Sequence, residues 1–264
     1  MPSAGEVEQF AYCAHNWFLA RHGQTGAGAG SERGVREHGR LGAAQNAIER
    51  QKAEYKSGLA WSFRVLAFAG SVSFLGLELV FLAQTPFHLM FLVTALFLVS
   101  ISAALLIVAL VAQRNYESGE RSENLVPGLV LDSDLAGGGR VLEDPSWNLS
   151  GKPDYILKTE GGPVPVEVKT GRTPPKPFPS HALQVGCYLR LIEVTSGKAP
   201  AYGLLNYPDG VFRIAWDDKL RADLEQTLGR IAQAERAGKA DRDHEQAGRC
   251  RGCSRREACD QRLA

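Results

Sequence analysis

The chain has 264 residues, and its 30 Lys and Arg against 29 Asp and Glu give a formal net charge of +1. A hydrophobic content of 44% with 22% charged residues excludes a disordered or collagen-like chain. The near-neutral balance excludes a globally basic nucleic-acid coat but leaves local basic patches possible. Five Cys are too few for a secreted disulfide scaffold, and their odd number leaves at least one unpaired within the chain.

The N-terminal region is predicted to be helical. The segment QFAYCAHNWFLARHG carries apolar and aromatic residues at helical spacing, and a glycine-rich break follows it. A polar helix is predicted to resume near Gly34 and to run towards the apolar segments described next.

Two apolar stretches follow, and both are long enough to cross a hydrocarbon core, which needs about 20 residues. The first covers residues 65–83 and contains one charge, Glu78, whereas the second, residues 89–112, contains none. An acid at the centre of a span costs about 2.5–3.5 kcal/mol. Glu78 lies towards the end of its span, where it can be protonated or can pair with the neighbouring helix. The alternative, a buried helical hairpin, is disfavoured by the length and uniformity of the second stretch.

The distribution of basic residues predicts the orientation of the two spans. The linker, residues 84–88, has no Lys or Arg, whereas the flanks carry six. The positive-inside rule therefore predicts an inner-membrane protein with both termini and both soluble portions in the cytoplasm. The flanking basic residues are Arg50, Lys52, Lys56, Arg64, Arg114 and Arg121.

After residue 125 the pattern changes from helical to extended. Short runs bounded by Gly and Pro precede DYILKTEGGPVPVEVKT, which predicts a hairpin that turns at Gly161 and Gly162. A proline-rich loop leads into a helix that ends near Gly197. A second hairpin turning at Asp209–Gly210 and an amphipathic helix complete the series. This order predicts an α/β fold with a mixed sheet flanked by helices.

Two acids and a lysine on the first hairpin are candidates for a catalytic site. Glu167 and Lys169 are two residues apart in a strand and therefore share a face, and Asp154 begins the partner strand. Converging carboxylates suit a hard cation such as Mg²⁺, and a neighbouring lysine can orient water and stabilise charge on a phosphate. Alternating charge is also normal on a solvated sheet face, so the pattern alone does not establish a site.

Four of the five cysteines suggest a second metal site. Cys250, Cys253 and Cys259 form C-x2-C-x5-C, and Cys13 lies alone near the N-terminus. Four thiolates can hold Zn²⁺ or an iron–sulfur cluster, and the chemistry alone does not choose, with zinc as the default. Free surface thiols are the alternative. Cys187, on the apolar side of its helix, is predicted to be a core thiol.

The string GKPD…PVEVKTG followed by QVGCY resembles the PD-(D/E)xK nucleases in their RecB-like branch. Within that branch it is most similar to the CRISPR-associated exonuclease family that carries an iron–sulfur cluster. The resemblance implies a restriction-endonuclease-like core with Asp154 and Glu167 as metal-binding acids and Lys169 as the catalytic lysine. It also implies that Gln184 and Tyr188 form the QxxxY motif, which supports the active site and DNA.

The resemblance implies two further ligand sets. Cys13, Cys250, Cys253 and Cys259 would bind a 4Fe–4S cluster that joins the two ends of the chain. His38, in GVREHGRLG, would be a further ligand of the Mg²⁺ or Mn²⁺ ion, although a histidine on a charged helix is often simply solvated. His181, at the start of the motif helix, is a weaker candidate for contact with DNA.

The resemblance covers about residues 1–60 and 125–264. It divides the chain into an N-terminal helical part of the nuclease domain (1–60), a transmembrane hairpin (61–113) and a nuclease core with the cysteine cluster (114–264). The implied activity is that of a metal-dependent deoxyribonuclease, an exonuclease on single-stranded DNA ends. Because typical family members are soluble, the hairpin favours DNA processing at the envelope over CRISPR spacer acquisition.

Two other functions stay open on the sequence alone. One is a non-catalytic, membrane-tethered DNA-binding or redox-sensing module, and the other is a zinc-binding membrane adaptor. Several basic residues are candidate phosphate contacts, although those of the C-terminal tail can equally serve solubility. They are Lys152, Arg172 and Lys176 near the motif and Arg249, Arg251, Arg255, Arg256 and Arg262 in the tail.

Overall fold

The computed structural model describes residues 1–23, 29–83, 88–123, 125–135 and 138–263. The predicted glycine-rich break and the linker between the spans lie largely in 24–28 and 84–87, outside the described residues. The chain divides into two compact units, one formed by residues 1–43 with 124–264 and the other by residues 44–123. The predicted boundaries at residues 60 and 113 stay predictions.

The N-terminal segment forms two short helices where the sequence predicts one continuous pattern. Helix α1 (Ala4–Tyr12) starts with a capping box in which Ser3 and Glu6 bond reciprocally to each other's backbone N–H. Cys13 then adopts an extended conformation (φ −166°, ψ 118°), which ends α1 before α2 (Ala14–Arg21) begins. The apolar periodicity continues through Cys13 and therefore does not reveal the break between the two helices.

Two long helices, α3 (Ala29–Ala83) and α4 (His88–Ser122), carry the apolar stretches. The polar helix does run directly into the first apolar stretch, as predicted, and α4 continues beyond the second apolar stretch to Ser122. Gly39–Glu78 and Leu89–Arg121 are long and apolar enough to cross a membrane by length and composition. Glu78 is exposed at the end of the first of these ranges.

Small residues let the two long helices pack within the second unit. The Oγ of Ser62 donates to the carbonyl of Ser102 (3.1 Å), and the Oγ of Ser102 donates to the carbonyl of Ser62 (2.9 Å). A Cβ added to Gly58 would lie 3.2 Å from that of Ala109. Close approach of backbones and hydroxyl bonds between helices are the usual means by which apolar helices associate without a hydrophobic driving force.

The first unit contains a five-stranded mixed sheet in the order β1-β4-β5-β6-β7 and a separate β2–β3 pair. All neighbours in the larger sheet are antiparallel except β5 and β6, which are parallel. The predicted α/β fold and both predicted hairpins are confirmed, whereas β3 is not predicted. The strands are β1 (Leu129–Ser133), β2 (Leu142–Asp144), β3 (Leu149–Gly151), β4 (Tyr155–Thr159), β5 (Gly162–Val168), β6 (Tyr202–Tyr207) and β7 (Gly210–Ala215).

Helix α5 (Pro179–Ser196) connects β5 to β6, because parallel neighbours require a crossover. It ends at Gly197 in a left-handed conformation (φ 70°), as the sequence predicts. A Cβ on Gly203 of β6 would lie 2.4 Å from a methyl of Val185, so glycine permits the close packing of α5 on the sheet. Helices α6 (Asp218–Ala237) and α7 (Ala247–Arg251) follow.

Candidate active site

The β4–β5 hairpin brings both predicted acids and the predicted lysine together. Asp154 lies just before β4, Glu167 lies in β5 and Lys169 follows the end of β5. The Asp154 carboxylate accepts the backbone N–H of Val168 at 2.6 Å, which holds it against the Glu167 end of the partner strand. The Lys169 ammonium lies 3.1 Å from the Glu167 carboxylate.

Helix α5 adds the two residues of the QxxxY motif. Lys169 Nζ donates to Gln184 Oε1 at 2.6 Å, and Gln184 Nε2 donates to the Tyr188 hydroxyl at 3.1 Å. Gln184 and Tyr188 share a face because they are four residues apart on a helix. The structure therefore links Glu167, Lys169, Gln184 and Tyr188 in one polar chain.

The charged groups of this cluster are largely withdrawn from water. Glu167 is only 6% exposed. Burial raises the pKa of Asp154 well above its usual value, and the neighbouring Glu167 carboxylate adds to the effect. Burial alone would lower the pKa of Lys169, but the carboxylates of Glu167 and Glu8 outweigh it and raise that pKa. Desolvated acids gathered around one lysine are expensive for stability, which indicates a functional site.

Glu8 of α1 is a further member of the cluster that the sequence analysis does not find. Its carboxylate lies 3.7 Å from His181 Nε2. The charge of Lys169 acts to lower its pKa and that of Glu167 to raise it. Burial, the largest influence, raises the pKa of Glu8. The sequence offers no local signal for this role, because Glu6 and Glu8 look alike in an acidic helix and only the packing of α1 against α5 separates them.

His181 lies at the edge of the same cluster. Its Nδ1 is 2.5 Å from the Tyr207 hydroxyl, and its Nε2 is 3.7 Å from Glu8. Burial, reinforced by Lys169, lowers the pKa of His181 to about 3, so the imidazole is neutral near pH 7. Its predicted contact with DNA stays a prediction, and Phe178, edge-on at 5.3 Å, is 50% exposed beside it.

The remaining candidate residues near the motif differ in how far the structure describes them and in their surroundings. His38 belongs to α3, but its side chain lies outside the described residues, so its predicted ligand role stays a prediction. Lys152 forms an ion pair with Asp134. Arg172 and Lys176 are exposed on the proline-rich loop that follows β5.

All four predicted cluster cysteines line one small cavity. The break after α1 places one of them there, and the C-terminal segment from α7 onwards supplies the other three. Two hydrogen bonds join the N-terminal and C-terminal segments at this point. The Tyr12 hydroxyl donates to the Arg249 carbonyl (2.7 Å), and the Arg249 guanidinium donates to the Tyr12 carbonyl (2.8 Å). The cysteines are Cys13, Cys250, Cys253 and Cys259.

Two further potential ligands, a histidine and an aspartate, lie close to one of the cavity cysteines. Among the described residues, one group of three potential ligand atoms lies within 4.8 Å of one another, and it consists of His15, Cys259 and Asp260. Of the four cavity cysteines, Cys259 belongs to this group. Cys187, in contrast, is fully buried in the core, as predicted, and burial raises its pKa.

The first unit thus combines a mixed sheet with two converging acids and an adjoining lysine. A family model described as the PD-(D/E)XK nuclease superfamily matches residues 100–260, more than half of the chain. The chain belongs to the PD-(D/E)XK nuclease superfamily, whose members are metal-dependent nucleases. A search of curated proteins finds no match.

Proposed function

We propose that this protein is a membrane-anchored, divalent-metal-dependent deoxyribonuclease that acts as an exonuclease on single-stranded DNA ends. The observation that carries the proposal is the convergence of Asp154 and Glu167 with the Lys169–Gln184–Tyr188 chain at the end of β5. The choice of DNA ends rests on the resemblance to RecB-like exonucleases and goes beyond the superfamily assignment.

The chemistry of the site fits a hard divalent cation. Asp154 and Glu167 would hold Mg²⁺ or Mn²⁺ through carboxylate oxygens, with His38 as a further ligand. When bound, such an ion supplies an activated water and stabilises the leaving oxygen. Lys169 contributes a positive charge for the phosphate, and Gln184 fixes its ammonium through the 2.6 Å bond. Tyr188 in turn holds the Gln184 amide.

The second unit supports the membrane anchor. Its candidate spans expose large apolar side chains along their length, for example Phe63 (64%) and Phe97 (65%). A soluble monomer rarely exposes so large a continuous apolar surface. We place the anchor in the inner membrane with both soluble portions in the cytoplasm, because the basic residues flank the spans and are absent from the linker.

We assign the four-cysteine cavity to a structural 4Fe–4S cluster that joins the ends of the chain. All four cysteines line one cavity, and four thiolates can hold either Zn²⁺ or an iron–sulfur cluster. The resemblance to the iron–sulfur exonucleases favours the cluster over Zn²⁺.

The test uses the full chain, purified without oxygen in detergent. End-labelled single-stranded DNA is incubated with Mg²⁺ or Mn²⁺ and with wild type, Lys169→Ala or Lys158→Ala. Lys158 is an exposed lysine of the same hairpin and serves as the matched control. We expect cleavage that depends on the metal, falls about 10²- to 10³-fold in Lys169→Ala and is unchanged in Lys158→Ala.

The other outcomes identify the alternatives. Equal cleavage by all three proteins would indicate a contaminating nuclease and contradict the proposal. Binding of DNA without cleavage by the wild type would favour the non-catalytic module. Zinc in the purified protein, without metal-dependent cleavage, would favour the adaptor.

A further inference from the structure

Phe178 is an exposed aromatic residue at the N-cap of α5. It is 50% exposed, which alone assigns no role, because single apolar residues on a surface are ordinary. Its backbone is extended (φ −67°, ψ 137°) and lies between Pro177 and Pro179. A following proline restricts a residue to extended conformations, so the backbone that carries this ring is held before any ligand binds.

Packing from one side also holds the Phe178 ring. The rings of Phe178 and His181 meet edge to face, with centroids 5.3 Å apart and planes at 81°. His181 is in turn held by Tyr207, whose hydroxyl lies 2.5 Å from Nδ1 and whose ring stacks on the imidazole at 5.8 Å. Tyr207 is only 2% exposed. The three rings therefore form an aromatic row that is anchored in the core at Tyr207 and opens to solvent at Phe178.

The aromatic row adjoins the catalytic cluster. Tyr207 directly follows Asn206, whose carbonyl accepts the backbone N–H of Lys169 at 2.8 Å. On α5, His181 and Gln184 are three residues apart and are therefore neighbours on one face. Gln184 accepts from Lys169 Nζ at 2.6 Å. The strand and the helix that carry the row thus also hold the lysine proposed to contact the phosphate.

The loop that leads from Lys169 to Phe178 carries only positive charges. Arg172 and Lys176 are exposed on it, and it contains no acid. A cationic surface beside an exposed aromatic ring is the combination that binds single-stranded nucleic acid, because the cations attract the phosphates and the ring stacks on a base. An apolar protein partner would gain nothing from these charges.

We propose that Phe178 stacks on a base of the single strand whose phosphate is held at Asp154 and Glu167. This inference rests on the proposed nuclease function and adds to it a contact with a base, which the acids and the lysine do not supply. Stacking tolerates any sequence, because every base has a flat face. It also requires a base that is free of its neighbours, so Phe178 favours single-stranded ends over duplex DNA.

The test measures the affinity for a fluorescent single-stranded oligonucleotide with Mn²⁺, in full chains that all carry Lys169→Ala so that the DNA stays intact. Adding Phe178→Ala should weaken binding about 5- to 150-fold, the range for loss of one stacked base. Adding Phe178→Trp should leave the affinity of the Lys169→Ala parent unchanged. The matched control is Val194→Ala, at a residue 42% exposed on the same helix, and it should have no effect.

A second measurement identifies the contact as stacking on a base. Oligonucleotides that each lack one base at a different position are bound in turn. At one position the missing base should weaken binding by the Lys169→Ala parent as much as Phe178→Ala does. The same oligonucleotide should bind to the Phe178→Ala protein no more weakly than the intact one.

Unchanged affinity in Phe178→Ala, no recovery in Phe178→Trp, or an equal loss in Val194→Ala would overturn the inference. A missing base whose effect is as large in Phe178→Ala as in the parent, at every position, would also overturn it. If Phe178→Ala does not fold, Phe178→Leu keeps an apolar side chain without a flat face and should still weaken binding, and the parent's affinity in that protein would contradict the role. Failure of the nuclease proposal itself looks different, because the wild type would then not cleave DNA or Lys169→Ala would still cleave it.

Discussion

The two compact units break the ordinary rule of burial in opposite directions. In the first unit, acids and a lysine are withdrawn from water, with Glu167 only 6% exposed. In the second, aromatic and aliphatic side chains face outward, with Phe97 65% exposed. Buried charges and a large exposed apolar surface are both unusual in soluble proteins, and each needs a partner of matching chemistry. We propose that a divalent cation meets the first need and a lipid bilayer the second.

The contrast locates the candidate function of each unit in the groups that depart from the ordinary rule of burial. The buried ion cluster costs folding free energy, because its groups lose their hydration. The exposed helices gain no stability from their outward side chains in water. Neither arrangement stabilises a soluble protein that lacks a ligand and a membrane. A substitution in one unit should therefore have effects that a similar substitution in the other unit does not have.

The largest expected effect in these comparisons concerns the exposed apolar surface. Val99 in α4 and Val211 in β7 have nearly equal exposure, 45% and 47%, but lie in different units. Val99→Arg should reduce membrane insertion, because arginine at the centre of a span costs about 2.5–3.5 kcal/mol. Val211→Arg should have no such effect. The measurement is the fraction of each protein that stays with the membrane after alkaline extraction.

Equal retention of the two variants would contradict the anchoring role of α4. The apolar surface would then be explained by association between copies of the chain. Chemical cross-linking of the wild type in detergent would detect such association.

A smaller effect is expected at the edge of the catalytic cluster. Burial, with Lys169, lowers the pKa of His181 to about 3, below the unfolded value of 6.5. Between these values the unfolded chain binds a proton that the folded chain does not, so stability falls as the pH falls. Near pH 5 the loss from this group is about 2 kcal/mol. His181→Gln should remove that part of the acid sensitivity.

The measurement is the thermal midpoint of wild type and His181→Gln across that pH range. Above pH 6.5 the thermal midpoints of the two proteins should change with pH at the same rate. Below pH 6.5 the midpoint of the wild type should fall more steeply than that of His181→Gln. Parallel curves throughout would show that the histidine does not titrate between the two states as its burial requires.

The sequence predicts those parts of the fold and site that depend on local patterns. Extended runs on either side of Gly161 and Gly162 identify the β4–β5 hairpin, and a two-residue spacing places Glu167 and Lys169 on one face. Gln184 is predictable relative to Tyr188 because a helix repeats its face every four residues. The site roles themselves rest on the resemblance and remain proposals, but the geometry that brings these residues together follows from short-range rules.

Features that depend on contacts between distant segments are not predictable in this way. Glu8 joins the cluster only because α1 packs against α5, far along the chain. The extended conformation of Cys13 is hidden by apolar spacing that continues across it. Strand β3 is too short, at three residues, to show any alternation. In each case the deciding interaction lies outside the window that a sequence pattern can sample.

The most direct test of the central claim measures Mn²⁺ binding by Asp154→Asn, using spin resonance or calorimetry on the full chain. The matched control is Asp218→Asn, an exposed aspartate at the start of α6. We predict that Asp154→Asn loses the metal and DNA cleavage while its thermal midpoint rises, because burial disfavours the charged carboxylate in the folded state. Wild-type Mn²⁺ affinity and cleavage in Asp154→Asn would contradict the assignment of this cluster as the catalytic metal site.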